Sequence, residues 1–133
     1  MIRQDDPLAR RILELQLNVK ISEPFSGLLL ENDGEIYGAV IINNYTHWDC
    51  HLGIVSEGTW LISDARELAR YCFNQLKCGR VTFEVAQSNE RVHDILLKLG
   101  AKYEGCKRQG RPDDNIFLFG LLRSEQKLVR SLQ

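Results

Sequence analysis

The feature that constrains this chain most is a change of pattern across residues 50–86. Cys50–Ser56 reads as a short strand. Leu61, Ile62, Ala65, Leu68, Ala69, Cys72, Phe73 and Leu76 then recur at helical spacing. Arg80–Ala86 alternates, with Val81, Phe83 and Val85 on one face and Arg80, Thr82 and Glu84 on the other. Strand, helix and strand in that order close a right-handed crossover, so the two strands lie parallel in one sheet. Upstream, Gly27–Glu31 and Glu35–Asn43 flank Asn32-Asp33-Gly34, a hairpin signal, so residues 27–56 draw an antiparallel meander. Ile36, Tyr37, Val40, Ile41 and Ile42 suit a central strand covered on both faces. The expected architecture is α/β (α+β). A mixed, mostly antiparallel sheet of about six or seven strands contains one parallel pair, with helices on both faces.

The remaining elements follow from caps and breakers. Asp6 is the expected N-cap of a helix over about residues 7–17, with Pro7 at its first position. Ser63 or Thr59 caps the 61–76 helix, and Gly79 ends it as a left-handed residue. Asn89 starts a third helix carrying Val92, Ile95, Leu96 and Leu99, and Gly100 stops it. Lys102–Lys107 is a short strand, 109–115 a loop, and Ile116–Leu122 the last strand, with a helical tail from Ser124.

At 133 residues the chain has room for one domain. Seventeen Lys and Arg against 18 Asp and Glu leave a net charge of −1, so no global nucleic-acid footprint is present. The longest apolar run, Ala39–Ile42, is far short of the ~20 residues of a bilayer span. Acids and no apolar segment open the chain, so a cytoplasmic protein without a secretory leader is expected. The 4 cysteines form no C-x-x-C pair and the 3 histidines complete no ligand set. Reduced, mostly buried thiols and no metal are expected.

Three segments carry a resemblance. They are Arg80-Val-Thr-Phe-Glu-Val-Ala-Gln-Ser-Asn89-Glu-Arg91, Leu97-Lys-Leu-Gly100-Ala-Lys-Tyr-Glu104-Gly105-Cys-Lys-Arg108, and Asp114-Asn-Ile-Phe-Leu-Phe-Gly-Leu-Leu122. Together, and with the stretch from Ala65 to Leu76, they resemble the GNAT-type N-acetyltransferases over about residues 50–122. The likeness is greatest to the branch of the ribosomal-protein alanine acetyltransferases. It implies the acyl-CoA N-acyltransferase fold, with the parallel pair splayed apart. Acetyl-CoA would then be co-substrate, and an amine of a small molecule or a protein N-terminus the acceptor. The backbone of Ile54, Val55 and Ser56 would bond the pantetheine arm. The pyrophosphate would rest on backbone N–H groups around Gly58, Trp60, Leu61 and Ile62. Asn89 and Arg91 would flank the arm from the other strand.

The same resemblance nominates His51, with Asp49 beside it, as base, Glu104 as a second acid–base group, and Tyr103 as proton donor to the leaving thiolate. Each also has an ordinary structural role open to it: a bonded strand histidine, a turn aspartate, a strand ion pair, a half-buried tyrosine. Lys107-Arg108-Gln-Gly-Arg111 is a basic cluster that fits an acidic substrate, RNA or, more ordinarily, a solvated hairpin end. Acceptor choice would fall to loops 17–27, 43–50 and 107–115. A C2 homodimer through an edge strand would be ordinary.

Departures from the family pattern define an alternative. Glu57 stands where Gln or Arg is usual in the phosphate loop, Trp60 where Gly is usual, and Leu96 where a tyrosine acid is usual. The short N-terminal part and Asn43-Asn-Tyr-Thr bear a loose likeness to small GNAT-like proteins of bacteriophages. The alternative is a non-catalytic binding or structural module of the same fold.

Overall fold

The computed structural model describes residues 1–57 and 62–127. β1 (Ile2–Gln4) and α1 (Asp6–Leu17) lead into β2 (Ser26–Asn32), β3 (Glu35–Asn43) and β4 (Asp49–Ser56). α2 (Ile62–Arg70) continues into a π-helical turn, Tyr71–Gln75, followed by β5 (Arg80–Ala86), α3 (Glu90–Lys98), β6 (Lys102–Arg111) and β7 (Asp114–Leu122). The strands form one seven-stranded sheet in the order β1-β2-β3-β4-β5-β7-β6. Every neighbouring pair is antiparallel except β4–β5, the parallel pair that the crossover requires.

Each face of the sheet has its own core. Leu30, Val40, Leu52, Val81 and Phe83 pack under α2, the π-helical turn that continues it, and α3, whose Leu68, Phe73, Val92 and Leu96 are buried. Leu29, Ala39, Ile41 and Val55 pack under Ala9 and Leu13 of α1. β3 therefore feeds both cores, as its apolar run demands, although Ile36 near the hairpin is exposed rather than covered. α1 covers only the β2–β4 side of its face. On the β4–β5 side this face carries the polar row His51, Arg80, Thr82 and Glu84, and the candidate site forms there.

Local chemistry accounts for the differences from expectation. The N-cap of α1 is Asp5, whose carboxylate accepts the Leu8 N–H at 3.1 Å; Asp6 is already helical. The Asp6 carboxylate instead accepts the Gly27 N–H at 2.8 Å and docks the helix onto β2. The Asp33-Gly34 turn has the expected positive φ values of 53° and 81°. The 61–76 stripe ends in a wider turn, with Leu76 N–H bonding Tyr71 C=O at 2.9 Å. Its left-handed residue is Lys77 (φ 57°), not Gly79. Gly79 is required by contact instead, since a Cβ there would lie 2.2 Å from the Trp48 ring. Asn89 flanks α3 as expected but makes no side-chain cap bond, and Gly100 takes φ 104°. β6 runs to Arg111 and β7 starts at Asp114, so the expected 109–115 loop shrinks to a tight hairpin. Irregularities at Tyr103–Gly105 and Lys107–Arg111 absorb the extra residues, and Asn115 Oδ1 accepts the Gln109 N–H at 2.8 Å. A turn follows β7 at residues 123–125; the rest of the expected helical tail lies outside the described residues from 128 onward.

Candidate active site

β4 and β5 pair from Asp49–Arg80 to Gly53–Glu84, and the ladder stops there. β4 nevertheless continues to Ser56, held on its far side by β3 through Ala39–Val55 and Gly38–Ser56. β5 continues to Ala86, held on its far side by β7 through Ala86–Ile116. Two strands tied to outer neighbours thus fork beyond Gly53 and Glu84. The β4 edge over Ile54–Ser56 faces a gap rather than a ladder, a form suited to an extended peptide-like group.

At the base of the fork His51 stands between two carboxylates. Its Nε2 is 3.4 Å from Asp49 Oδ2 and its Nδ1 is 3.8 Å from Glu84 Oε1. Nδ1 is buried and has no hydrogen-bond partner among the described residues. The register explains the grouping: His51 lies opposite Thr82 and Gly53 opposite Glu84, so odd positions of β4 and even positions of β5 share the α1 face. The carboxylates are fixed in turn. Thr82 Oγ1, on a buried residue, is 3.1 Å from both oxygens of Asp49, and Arg80 Nε lies 3.6 Å from Oδ1. Lys107 Nζ is 2.6 Å from Glu84 Oε1. An imidazole with an unengaged nitrogen between anions can take up a proton and keep the resulting charge paired.

A pocket of about 190 Å³ opens beside this group. Leu13, Leu17, Ile41 and Ile116 give it apolar walls, Gly53 and Glu84 lie on it at the fork, and Arg111 closes the hairpin side. A wider groove of about 670 Å³, walled by Phe25, Tyr45 and Tyr71, shares Ile21 and Asn43 with it and forms an open approach.

The structure brings together His51, Asp49, and the backbone of Ile54, Val55 and Ser56. Asn89 sits just past the carboxyl end of β5, its N–H bonding Ala86 C=O at 2.9 Å, and Arg91 is exposed in the first turn of α3. Glu104 belongs to the same face but at the other end of β5. Its Oε1 accepts from Arg80 Nη2 at 2.6 Å, a bond that raises the Arg80 guanidinium above its ordinary value. Tyr103 lies on the opposite face of the sheet, its ring edge-on to Phe117 and Phe119. Gly58, Trp60 and Leu61 fall outside the described residues, and Ile62 is described only as the first residue of α2. Leu96 is fully buried in the core. Sequence reasoning missed Glu84, Thr82, Lys107 and Arg111 as members of the site. The alternation of Arg80, Thr82 and Glu84 had marked a polar strand face, but not what that face would meet.

Neither a protein-family model nor a curated protein sequence matches the chain. Solved structures do. A variant of spermidine N-acetyltransferase SpeG from Vibrio cholerae aligns over 93% of this chain and 95% of its own, at 15% identity and TM-score 0.68. A protein with a provisional acetyltransferase designation aligns over 93% of both chains at 22% identity and TM-score 0.67. Another so designated, from T. thermophilus, aligns over 78% of this chain and 62% of its own at 26% identity and TM-score 0.64. The seven-stranded mixed sheet with its three helices is the GNAT acyl-CoA N-acyltransferase fold of these neighbours.

Proposed function

We propose that the chain is an acetyl-CoA-dependent N-acetyltransferase acting on an amine of a small molecule or a protein terminus. The observation that carries this reading is the fork itself. An unladdered β4 edge over residues 54–56 follows, on the same strand, a histidine that stands between two carboxylates, and one of these, Glu84, lines a pocket sized for a small group. The acetyltransferase designations of proteins sharing the fold support it. The residue pattern over 80–122 is our reason for reading it beside the ribosomal-protein alanine acetyltransferase branch.

The backbone of Ile54, Val55 and Ser56 holds the pantetheine arm, and backbone N–H groups at the start of α2 hold the pyrophosphate. Asn89 and Arg91 flank the arm from β5 and α3. Acetyl-CoA supplies an activated thioester carbonyl. The acceptor arrives as an ammonium ion and must lose a proton before its nitrogen can attack. His51 takes that proton, and Asp49 and Glu84 pair the imidazolium that results. The apolar walls of the pocket hold the amine in position and exclude water, which raises its effective concentration at the carbonyl. A thiolate of ordinary pKa near 8.5 leaves with little help, so the site functions without a dedicated acid on this face.

The test is a thermal-shift titration with acetyl-CoA and CoA, joined to a free-thiol release assay over an amine panel. Saturation near 100 Kd should stabilise the protein by about 2.7 kcal/mol. His51→Ala should lower kcat by about 10²-fold or more and leave acetyl-CoA affinity intact. No stabilisation by either ligand would refute the reading. Stabilisation without transfer to any amine would favour a non-catalytic module of this fold.

A further inference from the structure

The sheet ends in two unlike edges. β1 offers 3 residues, whereas β6 offers 10 and is exposed along almost its whole length. A long open edge presents unpaired N–H and C=O groups to any other strand, and charged side chains are the usual guard against such pairing. Here most of that guard is neutralised within the chain. Lys102 Nζ lies 2.6 Å from Glu125 Oε2, Lys107 Nζ 2.6 Å from Glu84 Oε1, and Arg111 Nη2 3.5 Å from Asp114 Oδ2. Arg108 is the one β6 cation with no ion pair among the described residues. Tyr103 is 52% exposed, although its ring stands edge-on to Phe117 and Phe119. Cys106 is the one exposed cysteine. Gly105 has no positive φ, and a Cβ on it would meet nothing within 4 Å, so neither backbone conformation nor space within its own chain asks for glycine there. The register with β7 arranges these residues symmetrically. Tyr103 pairs with Phe119 and Gly105 with Leu118, so Glu104 is the extra residue of a bulge. The regular run is then Tyr103, Gly105, Cys106, Lys107 and Arg108, with Cys106 at its centre, and Gln109 ends it by turning left-handed at φ 47°. Alternation puts Tyr103, Cys106 and Arg108 on the α3 face, and Gly105 and Lys107 on the α1 face.

We propose that β6 pairs antiparallel with β6 of a second copy of this chain, with the two-fold axis at Cys106, so that the two sheets become one. Arg108 of each copy then lies across from Tyr103 of the other, bringing an unpaired guanidinium to an exposed ring. Lys107 lies across from Gly105, where the missing side chain leaves room for the lysine stem on its way to Glu84. Cys106 faces Cys106. Charge selects this register. An axis at Lys107 would set that lysine against itself, and one at Gly105 would set Lys107 against Lys102. The complementary groups all lie on one strand, which is why the occupant is another copy of that strand. The pairing does not depend on the acetyltransferase reading.

The experiment is sedimentation equilibrium of the full chain under reducing conditions, with wild type, Arg108→Glu and Gly105→Val. Wild type should dimerise reversibly. Arg108→Glu removes the cation–ring contact at both symmetric positions and should weaken the dimer by about 10-fold or more. Gly105→Val enters open space in its own chain, so the monomer should fold as wild type by circular dichroism. Its side chain would meet Lys107 of the second copy and should also weaken the dimer by about 10-fold or more. A second measurement replaces the reductant with oxidised glutathione. The two Cys106 thiols form one disulfide, giving up two protons and two electrons, and the reagent leaves as two molecules of reduced glutathione. Cross-linked dimer should form in wild type, fall in Arg108→Glu and be absent in Cys106→Ser. Labelling of Cys106 by a thiol reagent, fast in dilute protein, should slow as concentration rises through the dimer Kd. A wild type that stays monomeric up to about 0.5 mM would overturn the proposal. So would a dimer indifferent to both Arg108→Glu and Gly105→Val, or one that yields no Cys106 cross-link, because another surface or register would then hold it.

Discussion

Gly27→Ala should be among the most damaging one-methyl changes available to this chain. A Cβ at Gly27 would stand 2.7 Å from Ala9 Cβ, 3.0 Å from Asp6 Cα and 3.1 Å from Asp6 O. Carbon atoms pack at about 3.5–4.0 Å, so α1 would have to retreat by about 1 Å, and two of the three obstacles are backbone that cannot rotate away. The helix is pinned at that point. Gly27 N–H bonds the Asp6 carboxylate at 2.8 Å, and Asp5 N–H bonds Gly27 C=O at 3.0 Å. A retreat of about 1 Å takes both beyond useful hydrogen-bond length. Overpacking costs about 1–3 kcal/mol and each weakened bond about 1 kcal/mol. Partial relaxation trades one against the other, so a net loss of about 2–4 kcal/mol is expected. Urea denaturation should show a lower midpoint at unchanged m-value, and Tm should drop by roughly 10 °C. Gly53→Ala is the internal control. Its Cβ would meet only Leu13 Cδ2 at 3.5 Å, an ordinary contact, so stability should stay within about 0.5 kcal/mol. A Gly27→Ala loss below about 0.5 kcal/mol would mean that α1 is not seated on β2 as described.

Thr82→Val removes a buried hydroxyl from between Asp49 and Arg80 and should cost about 1–2 kcal/mol in chemical denaturation; a neutral result would show that Asp49 does not depend on it. Thiol labelling of the native protein should modify Cys106 quickly and leave Cys50, Cys72 and Cys78 until unfolding, because only Cys106 is exposed. Burial pushes the Cys78 thiol up to about 12, and the hydrogen bond to Cys72, with burial, raises Cys50, so neither supplies a thiolate near neutral pH. More than one fast equivalent per chain would contradict this. The Asp114 carboxyl is held below its ordinary value by its bonds to Ser88 and Asn115 and by Arg111. A depressed carboxyl contributes stability above the unfolded-state value of about 4 and loses it as pH falls through the folded value, so Asp114→Asn should flatten the acid limb of a stability–pH curve below about pH 4. An unaltered limb would discount that carboxyl. Glu57→Gln removes a negative charge next to the carboxyl end of β4 and should tighten CoA binding in a titration; weaker binding would count against a phosphate site there.

What the amino-acid sequence determined by itself was whatever depends on neighbours along the chain. Periodicity and turn chemistry are local, so Glu35–Asn43 and Arg80–Ala86 came out with the boundaries observed, and Asp33-Gly34 could only be a tight hairpin turn. The parallel pair followed from element order through the handedness of crossovers. Tertiary contact decided the rest. Ile2–Gln4 is too short to read as a strand and exists because it pairs with Leu28–Leu30. Asp5 and Asp6 are chemically alike, and docking on Gly27 chose which one caps and which one anchors. Gly79 reads locally as a left-handed cap, yet Trp48 is what forbids a side chain there, leaving Lys77 to make the turn. The site is the extreme case. Gly53, Glu84 and Arg111 come from three strands, and no spacing along the chain encodes that register and a hairpin bulge bring them around one pocket, with His51 beside Glu84. Side-chain identity supplied the chemistry, but only the stacking of strand on strand, each fixed by its own outer neighbour, could open a fork at Gly53 and set that chemistry at its base.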